Sequence, residues 1–265
     1  MNASTAGAAR IRNRGLLIAG GLASVWLLAG PAIAATATDE ATAPDRFEKV
    51  NRVVFYANGA LDFIVIRPAA MTYKRLAPRP IRTGLRNAFS NMGEPTIALN
   101  DALQGHGKKA VRTVGRFAVN STAGVAGLFD VAHGVGLDHH DNDFGITLAR
   151  HGVVSGPYLF LPVLGPATVR DAAGYAINIA IDPFTYLRFQ QSTAVTVARQ
   201  VETALNERAE EDPDIKALTA SATDIYASIR SGYLQAREAQ ITGGQIDANH
   251  LPDMDDPAPG PKPAL

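Results

Sequence analysis

The stretch from Asp143 to Asp171, DFGITLARHGVVSGPYLFLPVLGPATVRD, limits this chain more than any other. Pro157, Pro162 and Pro166 crowd it, and a proline removes a backbone donor and clashes with the preceding helical turn. A long helix is therefore excluded, and so is a central strand. Yet Tyr158 to Leu164 is almost wholly apolar, which is costly to leave in water. An apolar segment of this kind lies against other protein or against a membrane interface, so the lipid boundary is the first place to look for function.

The chain is 46% hydrophobic and 19% charged, which excludes wholesale disorder, and its net charge is zero. Three of its cations, Arg10, Arg12 and Arg14, stand in an N-terminal segment that holds no acid, so the remainder is slightly acidic. That balance argues against nucleic acid as a partner, because displacing counterions needs a basic face. Cysteine is absent. Disulfides, thiolate metal sites, cysteine nucleophiles and acylated cysteines go with it.

Residues 1–34 read as a signal peptide: the three arginines, an apolar core from Gly15 to Gly30, the helix breaker Pro31, and the small-residue site Ala32-Ile33-Ala34. Cleavage is expected between Ala34 and Ala35. An uncleaved anchor is the alternative, and the proline and the A-x-A site weigh against it. Beyond the signal no uninterrupted apolar run is long enough for a bilayer, so membrane contact is expected to be interfacial.

Residues 35–44 form a polar linker. Phe47, Val50, Val54, Ala57, Leu61 and Ile64 then recur at helical spacing, with Asp45 as a cap and Arg67-Pro68 as the expected end. Pro78 and Pro80 break the next segment. Short helices are predicted over Ile81–Met92, closed by Gly93 and Pro95, over Thr96–Leu103 and over Lys108–Asn120. In the last of these Val111, Val114 and Ala118 make one apolar face. Asp171–Ile181 is helical and Asp182-Pro183 ends it. Val197, Val201 and Leu205 stripe a further helix, Asp212-Pro213 caps the next, and residues 243–265 read as a disordered tail. No alternating strand pattern is evident. The class is mainly α, built of short amphipathic helices broken by Gly and Pro.

Candidate chemistry is sparse. Asp138-His139-His140-Asp141-Asn142-Asp143 holds metal-ligand types, but adjacent side chains diverge, and a solvated loop explains it as well. Ser155 lies in Gly152-Val153-Val154-Ser155-Gly156, which misplaces the first glycine of a nucleophile elbow. Gly105-His106-Gly107-Lys108-Lys109 lacks the phosphate-loop spacing and its Ser/Thr. None of these patterns is specific enough to assign a catalytic residue, cofactor or metal. Arg67, Arg116 and Arg170-Asp171 sit in apolar surroundings; they serve either as ion pairs or as forks for lipid phosphate.

Taken in order, the motifs resemble the MlaA/VacJ family of outer-membrane phospholipid-trafficking proteins over about Asp45 to Tyr186. They begin with Asp45-Arg46-Phe47-Glu48-Lys49-Val50-Asn51-Arg52, where Val50 replaces the family's phenylalanine, followed by Phe55, Asn58, Leu61-Asp62 and Arg67-Pro68. Asn87-Ala88-Phe89-Ser90-Asn91, Glu94-Pro95, Asn100, Leu103-Gln104-Gly105, Arg116-Phe117, Asn120-Ser121 and Asp130 continue the series. Asp143-Phe144-Gly145, Thr147-Leu148, Gly152, Gly156-Pro157-Tyr158, Pro162, Gly165-Pro166 and Arg170-Asp171 close it.

The resemblance implies a helical ring in the inner leaflet of the outer membrane, with a central amphipathic channel. It implies removal of misplaced phospholipid from the outer leaflet, delivery to a periplasmic lipid carrier, and a trimeric porin as partner, with no bond chemistry. Residues 45–190 are then the family core and residues 191–242 a pair of added amphipathic helices. The expected channel or gating residues are Asn51, Arg52, Arg67, Arg116, Asn120, Phe144, Gly145, Gly156, Pro157, Tyr158, Arg170 and Asp171. Without a cysteine, attachment on the periplasmic side of the outer membrane rests on interfacial helices and on partners. A non-transporting envelope scaffold and a lipid hydrolase remain the alternatives.

Overall fold

A computed structural model describes residues 45–186 and 192–243; the signal peptide with its Ala34/Ala35 site, the linker and nearly all of the tail lie outside the described residues. The first long rod is continuous from Glu48 to Leu76. It comprises α1 (Glu48–Leu61), a π-helical turn (Asp62–Ile66) and α2 (Arg67–Leu76). Arg67-Pro68 does not end it. The Arg67 N–H reaches back to the Asp62 carbonyl, and this widened turn stands just ahead of Pro68, where a regular turn would meet the proline ring. The rod is long and apolar enough, by length and composition, to cross a membrane, although Asp62 and Arg67 interrupt its apolar run.

Two further prolines also fail to break helices. α3 runs unbroken over Arg79–Leu103 through Gly93 and Pro95, where two short helices were expected. α9 spans Ser192–Ser221 through Pro213, and α10 (Ile225–Thr242) begins at Asp224, whose side chain accepts from the Ala227 N–H. An interior proline costs about 3 kcal/mol, which packing on either side must offset. In α3 that packing includes Ala98, Asn100 and Asp101, all buried. α4 (Gly107–Thr122) and α7 (Val169–Ile181) follow the sequence expectation closely. The short helices α5 (Val131–Gly134), α6 (Phe144–Arg150) and α8 (Pro183–Tyr186) complete the helical set.

The apolar run after Pro157 is a hairpin, a short strand pair that no alternating pattern in the sequence announced, within a chain that is mainly α as expected. β1 (Tyr158–Leu161) pairs antiparallel with β2 (Gly165–Thr168), with Tyr158 opposite Thr168 and Phe160 opposite Pro166. Pro166 is tolerated because β2 is an edge strand. The other edge, on β1, meets α1 instead of a third strand. Asn51 accepts from the Phe160 N–H (2.9 Å) and donates to the Tyr158 carbonyl (3.1 Å). Two helical turns on, Asn58 donates to the Leu161 carbonyl (2.9 Å) and accepts from the Val163 N–H (3.0 Å). Two asparagine amides thus reproduce the pairing a strand would supply. Val163 takes a left-handed backbone conformation (φ 66°) in the hairpin loop, with its N–H fixed by Asn58.

Tyr158 and Phe160 pack with Tyr226 and Leu234 of α10 into the main apolar cluster, joined by Phe55 of α1. α9 lies along α2 and α3, and α10 along α6 and β2. The C-terminal helices are therefore part of this packing. α6 and α7 cross at a glycine pair. A Cβ on Gly174 would stand 2.4 Å from the Gly145 backbone nitrogen, and one on Gly145 would meet the Arg237 and Asp171 side chains.

Because backbone cannot give way at that crossing, Gly174→Ala is expected to cost about 1–3 kcal/mol. Gly59→Ala, in the interior of α1 with open space around it, is expected to be neutral or stabilising by about 0.5–1 kcal/mol. Thermal melts of the two variants in detergent check both. Equal melting temperatures would contradict the close approach.

Candidate functional site

The distribution of side chains is inverted relative to a water-soluble helical protein. In α4 the apolar face of Val111, Val114 and Ala118 is exposed, Val111 at 73%, whereas Thr113, Arg116 and Asn120 are buried. The rod behaves alike: Val50, Val53, Tyr56, Phe63, Ile64 and Val65 are all exposed, Phe63 at 70%, and the apolar stripe from Phe47 to Ile64 lies largely outward. Val125, Phe129 and Val135 extend the exposed apolar surface beyond α4. Among the described residues the buried polar side chains outnumber the buried apolar ones. Exposed apolar surface on this scale marks contact with lipid or protein.

Inside, the helices are joined by polar clusters. In the first, Glu94 of α3, only 1% exposed, receives Arg116 of α4 at 2.7 Å and lies 2.9 Å from His139. Arg116 also holds Asp130 (2.8 Å) and the Leu137 carbonyl (2.6 Å), while Asn120 donates to Asp130 and accepts from the Ala132 N–H. Burial disfavours the His139 cation, but Asp141 and Glu94 outweigh it and raise the imidazole to about 9.

In the second cluster Asp101 takes Thr113, His140 and Asn142, and Asn100 joins Thr147 and Asn178. The Asp138–Asp143 segment is therefore no free solvated loop, since His139, His140 and Asn142 are tied to the buried carboxylates of α3. No group of three or more metal-ligating side chains occurs among the described residues.

The third cluster closes α10 onto the Asp143–Asp171 segment. Arg237 binds both Asp143 oxygens (2.6 and 2.7 Å) and Asp171 (2.9 Å), and Tyr233 donates to Asp171 at 2.6 Å. Burial opposes ionisation of Asp171, yet Arg237, Tyr233, Thr168 and Arg170 together hold it below the usual carboxylate range. On α9, Arg208 grips both Asp62 oxygens and reaches Asp212, which also takes Arg67 (2.8 Å) and Lys216. Finally, Arg52 bridges Glu48 and Asp224 and lies over the Tyr226 ring, while the Tyr226 hydroxyl donates to Asp45.

The expected channel residues are distributed over these clusters. Asn51 and Tyr158 touch, and Gly145 meets Asp171 through the α6/α7 crossing. Arg52, Arg67, Arg116 and Arg170 each face a carboxylate, Arg170 at 3.5 Å, so of the two roles open to such arginines the structure shows the ion pair. Asn120 belongs to the Arg116 cluster. Phe144 is half-buried, and its N–H donates to Asn178. Gly156 takes φ 68° and is exposed, and the Pro157 carbonyl accepts from Val169. Tyr158 is buried in the apolar cluster with Phe160, Tyr226 and Leu234.

Sequence reasoning missed Asp101, Arg208, Asp212 and Arg237, and it placed Glu94 in the motif series without naming it as a site residue. Arg208, Asp212 and Lys216 at i, i+4 spacing was the available sign; nothing local marks Glu94 or Asp101 as buried.

Similarity to known proteins bears on this arrangement. Residues 43–240 match the family model described as MlaA lipoprotein. A protein of Rickettsia felis is 37% identical over 198 residues, covering 74% of this chain and 78% of its own length. The Escherichia coli "Intermembrane phospholipid transport system lipoprotein MlaA" is 30% identical over 227 residues, covering 83% and 87%. A solved structure described as "Structural basis for maintenance of bacterial outer membrane lipid asymmetry" superposes with a TM-score of 0.65 at 32% identity. It covers 75% of this chain and 99% of its own.

Removing one partner of a buried pair leaves the other uncompensated, at about 3–5 kcal/mol. Arg116→Met is therefore expected to destabilise strongly, whereas Val111→Ser, outward on the same helix, is expected to change stability by less than about 0.5 kcal/mol. A soluble helix would give the opposite order in urea or thermal melts. The raised His139 predicts a pH dependence. Its folded value lies above the unfolded one, so its contribution is full below about pH 6.5 and is lost as pH rises through about 9. With allowance for its partial exposure this is about 1 kcal/mol, or about 2–4 °C in melting temperature. His139→Gln is expected to flatten that slope, and an unchanged slope would contradict the assignment.

Proposed function

Because the chain belongs to the MlaA lipoprotein family, we infer that it works in intermembrane phospholipid transport and so maintains the lipid asymmetry of the outer membrane. The physical observation that supports this is the inverted fold: apolar helix faces turned outward around buried polar clusters suit a body immersed in lipid.

On this reading the helices form a ring in the inner leaflet of the outer membrane, around an amphipathic channel that admits a headgroup and its tails. Misplaced phospholipid leaves the outer leaflet through it and passes to a periplasmic carrier, and a trimeric porin holds the ring in place. No bond is made or broken. The rings of His139 and His140 are engaged by Glu94, Asp141 and Asp101, as expected of structural histidines. Asn51, Arg52 and the 143–158 region frame the passage by fixing the hairpin and the α6/α7 crossing. With no cysteine in the sequence, the outward faces of α1, α2 and α4 carry the attachment.

Deletion of the chain from its own cell is expected to increase the phospholipid accessible to added phospholipase at the cell surface, and re-expression to reverse it. In the same strains, the re-expressed chain should stay with outer membranes after an alkaline wash. Unchanged surface phospholipid on deletion would favour the scaffold reading instead.

A further inference from the structure

The outward surface is not apolar everywhere. Where the end of α2 meets the start of α3 and the middle of α9, a polar cleft of about 210 Å³ opens. Four cations line it, Lys74, Arg79, Arg82 and Arg86, against one carboxylate, Glu210. We propose that this cleft binds a phosphoryl group, supplied by a phospholipid headgroup.

Arg82 is the centre of the argument. It is only 6% exposed, and its guanidinium spends one arm on Glu210 (2.7 Å) and Asn206 (3.4 Å). Its Nε–H is buried without an acceptor. A buried charged donor left unsatisfied is costly, and a phosphate oxygen is a good partner for it. Neither Arg79 nor Arg86 is held by a hydrogen bond or close ion pair among the described residues, and Arg86 acts on Glu210 and Glu202 only at longer range, so two further forks stand open at the same place. Lys74 donates to the Ala209 carbonyl and adds charge.

The cleft also sits at the N-terminal end of α3, the positive pole of a 25-residue helix. The Glu210 carboxyl is drawn below its ordinary range, first by its Arg82 hydrogen bond and then, against burial, by Lys74, Arg82 and Arg86; this is the response of an acid in a positive field.

The volume suits a headgroup phosphate, being below the size of a site that encloses a whole small ligand. Leu76 and Ile81, both exposed, flank these cations along the chain and offer apolar surface to the acyl tails. That the phosphoryl comes from a lipid rests on the transport reading, whereas the anion chemistry of the cleft does not.

The test uses the mature chain purified in a maltoside detergent, titrated calorimetrically with dihexanoyl phosphatidylglycerol and, separately, with inorganic phosphate. Saturable binding of the lipid is expected, weakened about tenfold or more in an Arg79→Ala/Arg86→Ala double variant that melts like the parent, since each removes a charge-assisted contact. Much weaker binding of inorganic phosphate identifies the lipid as the source. Equal binding of the two still supports the phosphoryl site and makes free phosphate its ligand. Lipid binding equal in parent and double variant, or no binding of either probe, overturns the proposal. If the parent restores outer-membrane asymmetry in cells while failing to bind, the cleft falls and the transport reading stands.

Discussion

A chain that turns its apolar side chains outward gives up burial from water as the means of joining its own helices. Lipid tails are as apolar as valine or phenylalanine, so a helix gains little by exchanging one for the other. What remains is packing and polar pairing, and this protein uses both. Glu94–Arg116 joins α3 to α4, and Asp62–Arg208 with Arg67–Asp212 joins the long rod to α9. Asp143–Arg237–Asp171 joins α6, α7 and α10. The glycine crossing at Gly145 and Gly174 is the packing counterpart, since close backbone approach recovers dispersion energy.

The same constraint explains the hairpin. A two-stranded ribbon is marginal alone and leaves backbone donors and acceptors along its edges. α1 satisfies one edge with Asn51 and Asn58, seven residues apart and so nearly on one face. Tyr226 ties this assembly to the start of α1 through Asp45, and Arg52 stacks on the same ring. The C-terminal helix thereby locks the first helix and the hairpin together, so α10 is integral to the core.

Much of this was legible in the chain and some of it was not, for physical reasons. Periodicity located α1, α4 and α7, because it reports that a helix has two faces. It does not report which face is buried: the apolar side of α4 lies outward, and Arg116 and Asn120 are the residues enclosed. Prolines were read as stops at 68, 95 and 213, but a π turn or flanking packing outweighs the local penalty. The hairpin was hidden because Tyr158–Leu161 is apolar at every position; its alternation exists only in burial, with Tyr158 and Phe160 inward. The motif order, by contrast, pointed to the family. It did so by marking the residues that form polar joints, among them Asn51, Asn58, Glu94, Asn100, Arg116, Asp143 and Asp171.

That coincidence carries a consequence for the arginines. A cation in an apolar setting invites the idea of a lipid phosphate, yet Arg67, Arg116 and Arg237 are each matched by one or more carboxylates. An ion pair strengthens as its surroundings become less polar, while the cost of desolvating it has already been met by folding. Lipid around the protein therefore tightens these joints, and water around it loosens them. A cation that must exchange one lipid headgroup for the next cannot be so firmly held. By that criterion the cleft at Arg79, Arg82 and Arg86 differs in kind from the internal clusters: its cations exceed its carboxylate, and two of them make no hydrogen bond or close ion pair among the described residues. Strong pairing within and spare positive charge at one surface position separate the residues that keep the fold from those free to meet a ligand.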